Sequence, residues 1–205
     1  MLARIPARSE QATPALIDLS AHYNAALTET WLPGELIVKG NDFSGLPQGL
    51  QKLAGVEFDV RGLIQLSSGA LENLGGRFPR RVNGLPIQRR CQRLHFLHGS
   101  AWSSLFGTLI GHYVVHYANG QTRDLKLIFG RNIRDWWFPA SQPQMTPGAT
   151  VAWEGSNAAS RELGMSLRLY KMTWDNPQPE AEINSIDFVS AMEKPAPFLI
   201  AITVE

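Results

Sequence analysis

The chain has 205 residues, 44% hydrophobic and 18% charged, so it is long enough to bury a core of domain size. Its 19 lysines and arginines nearly balance 18 aspartates and glutamates, and a formal net charge of +1 provides no field that would recruit nucleic acid. The single cysteine, Cys91, excludes an intramolecular disulfide and is predicted to be a small buried residue. We find neither a signal-peptide pattern nor an apolar run that could span a bilayer, and we expect no membrane insertion.

Residues 1–14 are predicted to form a flexible N-terminal leader, and residues 15–205 a single β-sandwich domain. The leader holds Pro6 and Pro14 among short polar residues and has no apolar period. From residue 30 to 51 the chain is rich in proline and glycine, which predicts a loop around a rim of the domain. Trp31, at the start of this loop, is predicted to close one end of the core.

The stretch GVEFDVRGLIQLS, residues 55–67, has the first clear strand pattern. Apolar residues at 56, 58 and 60 alternate with charged residues at 57, 59 and 61, which predicts one core face and one solvent face. The pair Arg61–Gly62 interrupts the alternation, and we expect a bulge there that bends the strand around a corner of the sheet.

Residues 68–86 lose this periodicity and are predicted to be a long exposed loop. Arginines recur from position 77 to position 93, but no aromatic residue except Phe78 lies among them. We therefore interpret this basic run as a solvated face rather than a nucleic-acid site.

A β-hairpin is predicted within residues 107–137, GTLIGHYVVHYANGQTRDLKLIFGRNIRDWW. Two alternating runs flank Asn119–Gly120, a pair that tolerates positive φ at both positions. Further strands are predicted at 151–154, 163–174, 182–190 and 198–204. About eight or nine strands with little helix predict an all-β fold, a two-sheet antiparallel β-sandwich.

The candidate ligand-binding segment directly follows this hairpin. A sugar site needs a flat apolar face flanked by planar hydrogen-bonding groups, and one short segment combines both kinds of side chain. Its residues are Arg131, Asn132, Arg134, Asp135, Trp136 and Trp137. Because adjacent residues of a strand point to opposite sides, at most one of the two tryptophans can line a site. The alternative is that both tryptophans pack in the core or at the rim.

Enzyme motifs are weak in this chain. His112 and His116 lie on a predicted strand, where residues four apart are separated by ~13 Å and cannot chelate one ion. No motif for a serine or cysteine nucleophile or for a phosphate loop is present. A glycosidase pair of carboxylates remains open. Its candidates are Asp59, Asp135, Glu154, Asp175 and Asp187.

Several stretches together resemble the galactose-binding-like β-sandwich (jelly-roll) domains. They are GVEFDVRGLIQL, CQRLHFLHGSAW, GHYVVHYANG, LKLIFGRNIRDWW, PEAEINSIDFVS and FLIAITVE, which cover nearly all of the chain after residue 15. The chain looks most like uncharacterised bacterial accessory domains of this kind, attached to larger signalling or envelope-associated proteins. The resemblance implies two sheets, end loops that often bind sugars, and sometimes a structural calcium ion. It supplies no fixed binding residues.

Two turns, Asn41–Asp42 and Asp175–Asn176, are rich in oxygen atoms, which calcium prefers, but neither has an ion-specific pattern. We predict ordinary Asx turns and assign no metal ligand and no cofactor. The first functional hypothesis is a non-catalytic ligand-binding module with carbohydrate as the favoured ligand. The alternative is a structural or protein-interaction domain of a larger bacterial protein, and a glycoside-acting enzyme is third.

Overall fold

The computed structural model describes residues 5–33, 40–139, 141 and 146–205. It is 48% strand and 5% helix, which confirms the predicted all-β class with little helix. In chain order, the strands of the described residues are β1 (Ala25–Ala26), β2 (Gly49–Leu53), β3 (Val56–Val60), β4 (Gly62–Gln65), β5 (Arg81–Arg89), β6 (Arg93–Ala101), β7 (Leu109–Tyr117), β8 (Thr122–Ile128), β9 (Trp137–Pro139), β10 (Thr150–Gly155), β11 (Met165–Asp175), β12 (Ile183–Ser190) and β13 (Ala196–Val204). Within the same described residues the helices are α1 (Gly69–Asn73) and α2 (Ala158–Glu162).

Three antiparallel sheets pack together, as expected for a β-sandwich. The largest has the order β1-β4-β13-β6-β11-β10, with β9 also paired to β11. The second has the order β5-β12-β7-β8 and covers one face of the first. Between them, the ring of Tyr113 on β7 stacks 4.3 Å from Phe96 on β6 and 4.8 Å from Phe188 on β12. These rings form the centre of the first hydrophobic cluster.

A second hydrophobic cluster covers the opposite face of the largest sheet. Phe58 from the β2–β3 ribbon belongs to this cluster, together with Phe43 and with Phe198 on β13, whose ring centres lie 5.7 Å apart. Strand β13 is therefore buried at every position, and its nearly continuous apolar sequence is typical of a strand covered on both faces. A register shift at Ile200 lets Ile200 and Ala201 both face the second cluster.

The predicted interruption at Arg61–Gly62 is present, and the chain changes sheets there. Strand β3 belongs to the two-stranded ribbon, and β4 belongs to the largest sheet. The predicted solvent face of β3 was wrong in part, because Asp59 and Arg61 are both buried. The Arg61 Nε atom donates to the two Asp59 carboxylate oxygens at 2.9 and 3.0 Å, and its Nη2 atom donates to Asp18 at 2.7 Å.

The N-terminal segment completes this ion network. Arg8 donates to Asp59 at 3.2 Å and to the carbonyl of Leu16 at 2.5 Å, and Leu16 forms a bridge with Thr203 of β13. Asp59 thus has two arginine partners, one of which comes from a segment distant in sequence. The mobility predicted for residues 1–14 stays a prediction, and residues 1–4 lie outside the described residues.

The long loop predicted over residues 68–86 was wrong in extent. Ser68 caps helix α1 by accepting a hydrogen bond from the Leu71 amide, and the Leu71 side chain is buried. Strand β5 begins at Arg81, where the arginine pairs with Asp187 on β12. Arg77, Arg80 and Arg90 are exposed, and Arg80 pairs with Glu72, which agrees with the predicted solvated face.

The predicted hairpin is confirmed as β7 and β8, but its turn differs from the prediction. Only Gly120 has a positive φ, of 81°, and the Asn119 side chain instead accepts a hydrogen bond from the Gln121 amide at 3.0 Å. The Gly120 amide donates to the Tyr117 carbonyl at 3.0 Å. The Tyr117 amide also donates to the Gln121 carbonyl at 2.9 Å, so these two residues close a three-residue loop, 118–120, with a left-handed glycine at its end.

The ion network generates the first prediction. Asp59→Asn should lower the free energy of unfolding by about 3 kcal/mol, because it removes the anion that faces a buried guanidinium. Arg80→Ala is the matched control, since the solvent-exposed Arg80–Glu72 pair should contribute little to stability. Urea denaturation at pH 7 measures both. Equal and small losses would show that the buried network does not stabilise the fold.

Two turn positions test backbone strain with opposite signs. Gly120→Ala should destabilise the chain by about 1 kcal/mol through conformation alone, because a Cβ atom at Gly120 would meet nothing within 4 Å. Ala54→Gly should stabilise it by several tenths of a kcal/mol, because Ala54 has a φ of 46° in the β2–β3 turn. Urea denaturation of both variants checks the signs, and two changes of the same sign would contradict this account.

Candidate functional site

The segment that follows β8 is attached to the end of strand β6. The Ser100 amide donates to the Arg134 carbonyl at 3.1 Å, and the Trp136 amide donates to the Ser100 carbonyl at 2.8 Å. Ser100 and Asp135 also form a parallel bridge. Because β6 lies inside the largest sheet, the backbone of the predicted site is held by one of the most buried strands.

Two of the six predicted site residues have mainly structural contacts. Asn132 closes the turn after β8, because its side chain accepts from the Ile128 amide at 2.8 Å and donates to the Lys126 carbonyl at 2.9 Å. Trp136 is 2% exposed, and its ring lies 4.6 Å from Phe43 and 5.1 Å from Trp31. These contacts also place Trp31 in the second cluster, although residues 34–39 of its predicted loop lie outside the described residues.

Trp137 is half-buried and packs against the same cluster. Its indole Nε1 atom donates to the Asn41 side chain at 3.1 Å, while its backbone amide donates to Asp135 at 3.1 Å. Arg131 is exposed, and its carbonyl accepts from the Gly148 amide at 2.7 Å. The remaining two residues of the predicted segment, Arg134 and Asp135, line a pocket.

This pocket has a volume of about 240 Å³. Three residues of the predicted segment line it: Arg134, Asp135 and Trp137. Three more come from the turn after β6: Ser103, Ser104 and Phe106. Three buried aromatic residues complete the lining: Phe129, Phe138 and Tyr170. The pocket therefore combines an apolar interior with a polar wall.

Asp135 is the acidic residue of this wall. One carboxylate oxygen accepts from the Ser103 hydroxyl at 2.8 Å, and the other accepts from the Trp137 amide. Burial raises the pKa of Asp135 to about 6, and these two hydrogen bonds, with the charges of Lys194 and Arg134, only partly oppose it. The site thus keeps a carboxyl group where its charged form is disfavoured.

Two arginines lie against aromatic rings of the pocket. The guanidinium of Arg134 is 5.1 Å from the centre of the Phe106 ring, and that of Arg168 is 3.2 Å from the centre of the Phe138 ring. Arg168 is buried and also donates to Glu154 at 2.7 Å. These cation–π contacts fix the positions of both rings.

The turn that carries the serines begins with a strained residue. Trp102 has a φ of 62°, in the left-handed region that bulky residues rarely adopt. This conformation turns the chain away from β6 and brings the Ser103 hydroxyl to Asp135. Strain of this kind often occurs at functional sites, and here it positions the Ser103 hydroxyl, a hydrogen-bond donor to the Asp135 carboxylate.

His98 positions the same segment from inside the core. Its Nε2 atom lies 3.0 Å from the Asn132 carbonyl, which can only accept, so Nε2 carries the proton. The Nδ1 atom therefore accepts from the Tyr113 hydroxyl at 3.1 Å. His112 and His116 lie on strand β7 as predicted, and His98, on β6, is a packed, hydrogen-bonded core residue.

Sequence reasoning did not identify the rest of the pocket. The segment Ser103–Ser104–Leu105–Phe106–Gly107 was a weak signal, because a pair of large apolar residues lies between serines and a glycine in a connection between strands. Tyr170 and Phe138 gave none, since each belongs to a strand whose apolar residues are expected in the core.

The oxygen-rich turns are Asx turns, as predicted. Asp42 accepts from the Ser44 amide at 2.9 Å, and Asn176 accepts from the Gln178 amide at 3.0 Å. Within the part of the chain that the structure describes, no three His, Cys, Asp or Glu side chains form a group that could hold a metal ion. None of the described helices has the length and apolar character needed to cross a membrane.

Comparison of the chain with protein-family models gave no match, and comparison with curated proteins gave none either.

His98 generates a pH prediction. Burial lowers its pKa from 6.5 to about 4, although the bond to Asn132 opposes this shift. Between pH 4 and 6.5, His98 is protonated in the unfolded chain but neutral in the folded one. The folded state is therefore not penalised by His98 above pH 6.5, and it loses stability as pH falls from 6.5 towards 4. His98→Gln keeps one donor and one acceptor, and should reduce stability at pH 7 but remove this dependence.

The measurement is urea denaturation of both proteins from pH 4 to pH 8. As pH falls from 6.5 towards 4, the free energy of unfolding of wild type should drop relative to that of His98→Gln by about 1.4 kcal/mol per pH unit. A difference that stays constant with pH would show that His98 is not held neutral by the core.

Proposed function

We propose that this chain is a non-catalytic ligand-binding domain of the galactose-binding-like β-sandwich type, and that its ligand is a carbohydrate. The observation that supports this is the pocket beside Asp135, because aromatic residues form its interior and polar groups form its wall. Sites of this composition bind small molecules through apolar contact and a few oriented hydrogen bonds.

A sugar ring fits this chemistry better than a purely apolar molecule. Its C–H face can pack against the aromatic interior, and its hydroxyl groups can donate to the Asp135 carboxylate and to the Ser103 hydroxyl oxygen. Because a sugar ring is neutral, it adds no net charge beside Asp135 and Arg134 of the polar wall. The tryptophan platform expected from the sequence is not needed, because the rings of Phe129, Phe138 and Tyr170 supply apolar surface.

The distribution of carboxylates supports a non-catalytic role. Of the five acidic residues considered for a glycosidase pair, only Asp135 lines the pocket. The other four lie beside cations: Asp59 with Arg61, Glu154 with Arg168, Asp175 with Arg93 and Asp187 with Arg81. Glycoside hydrolysis needs two carboxylates on opposite sides of one bond, and the described lining of this pocket supplies one.

The structural alternative rests on Asn132, Trp136 and Trp137, whose contacts stabilise the loop and the second cluster. The structural and the ligand-binding hypotheses therefore predict different effects of the Asp135 carboxylate on the stability of the fold. A purely structural carboxylate should stabilise the fold, whereas a ligand-binding carboxylate can be retained although its burial is unfavourable.

Asp135→Asn separates the two functions. The amide oxygen can still accept from the Trp137 amide and the amide nitrogen can donate to the Ser103 hydroxyl, so we expect stability at pH 7.5 to stay equal or rise. The pKa of Asp135 is raised in the folded state, so wild type loses stability as pH rises through about 6, whereas Asp135→Asn does not. Urea denaturation of both proteins at pH 5 and 7.5 measures this difference.

The same variant should lose sugar binding. Isothermal titration with galactose, glucose, mannose and N-acetylglucosamine should find a ligand for wild type whose affinity rises about fivefold between pH 5 and 7.5, because a charged acceptor bonds more strongly. Asp135→Asn should bind at least about tenfold more weakly, and without this pH dependence. Asp175→Asn, which changes an exposed carboxylate, is the control. Loss of stability in Asp135→Asn without any sugar binding by wild type would favour the structural alternative.

A further inference from the structure

The pocket has a closed end and an open end. The closed end is aromatic, with Phe129, Phe138 and Tyr170 each 5% exposed or less. Two lining residues in the turn after β6, Ser103 and Phe106, are exposed, Phe106 by 69%. They mark the open end, so a part of a ligand that does not fit inside can extend over the Phe106 ring.

The turn at the open end carries an unusual amount of exposed apolar surface. Leu105 is 83% exposed and adjoins Phe106 in the chain, whereas the exposed side chains of Leu74 and Leu163 lie singly at the ends of the two short helices. Single exposed apolar residues are common, but an adjacent pair beside a pocket is typical of a binding surface.

The Phe106 ring is held in place despite its exposure. The Cα of Gly130 lies against it so closely that a Cβ atom there would be 2.6 Å from a ring carbon. The turn is closed by bonds from the Gly107 amide to the Phe129 carbonyl at 2.9 Å and from the Phe129 amide to the Thr108 carbonyl at 2.8 Å. A ring fixed beforehand loses little conformational entropy when a ligand covers it.

The pocket is also small. At about 240 Å³ it lies below the ~300 Å³ at which sites for drug-sized ligands begin, so it has room for one ring-sized group. A longer glycan cannot pass through the closed aromatic end. We propose, on the basis of the proposed function, that the pocket takes the terminal residue of a glycan chain and that Phe106 packs against the next residue. The domain then recognises chain ends rather than chain interiors.

Isothermal titration with oligosaccharides of increasing length tests this inference. The probes are the mono-, di- and trisaccharides of the β-1,4-linked glucose, galactose and N-acetylglucosamine series. Wild type should bind the disaccharide of the recognised series about three- to tenfold more tightly than the monosaccharide, with little further gain for the trisaccharide. Phe106→Ala should bind the disaccharide no better than the monosaccharide, because it removes the ring that the second sugar residue would cover.

Leu163→Ala is the matched control, because Leu163 is also exposed, by 63%, and lies outside the pocket. It should leave all affinities unchanged. A titration of the corresponding polysaccharide, intact and after partial hydrolysis, should give constant binding per chain end rather than per residue.

Two results would overturn the inference while leaving the proposed function intact: equal affinity of wild type for mono- and disaccharide, or equal weakening of both by Phe106→Ala. Binding of no sugar by wild type would refute the proposed function itself.

Discussion

Burial of both faces of the largest sheet is the constraint on which the structure depends. The four-stranded sheet covers one face, and the ribbon with its neighbouring loops covers the other. Strands β6 and β13, which pair along nearly their whole lengths, are therefore fixed between two hydrophobic layers. The turn at Ser103 and the segment at Asp135 both connect to the end of β6, so the pocket between them inherits the rigidity of the most buried part of the domain.

That rigidity requires polar groups to be satisfied inside the core. His98 has a partner on each ring nitrogen, and one of these partners is the backbone of the segment that bears the pocket. Its protonation at low pH opposes folding, whereas protonation of Asp135 favours it. Between about pH 4 and 6 the two contributions have opposite signs, so a nearly flat stability profile of the wild type would conceal two titrating groups in one small region.

Alternation of apolar and polar residues predicted the hairpin and β12, and a continuous apolar run predicted β13. Both patterns follow directly from how these strands pack. It failed on the charged face of β3, since nothing near Asp59 in sequence shows that Arg8 will cover it. The candidate segment was predicted as one unit, but Asn132 and Trp136 stabilise the fold. The residues that complete the pocket come from two other parts of the chain, and such long-range pairings leave no local pattern.

Two features of the pocket are unfavourable for the stability of the free protein: the Asp135 carboxylate is desolvated, and the large Phe106 ring is exposed. Each would be easy to remove, because an asparagine could keep the bonds of Asp135 and a polar residue could replace an exposed phenylalanine. The two lie on different loops and meet only at this pocket. A ligand that donates hydrogen bonds to the carboxylate and covers the ring would account for both features, and this coincidence is the strongest support for the proposed binding at this end of the sandwich.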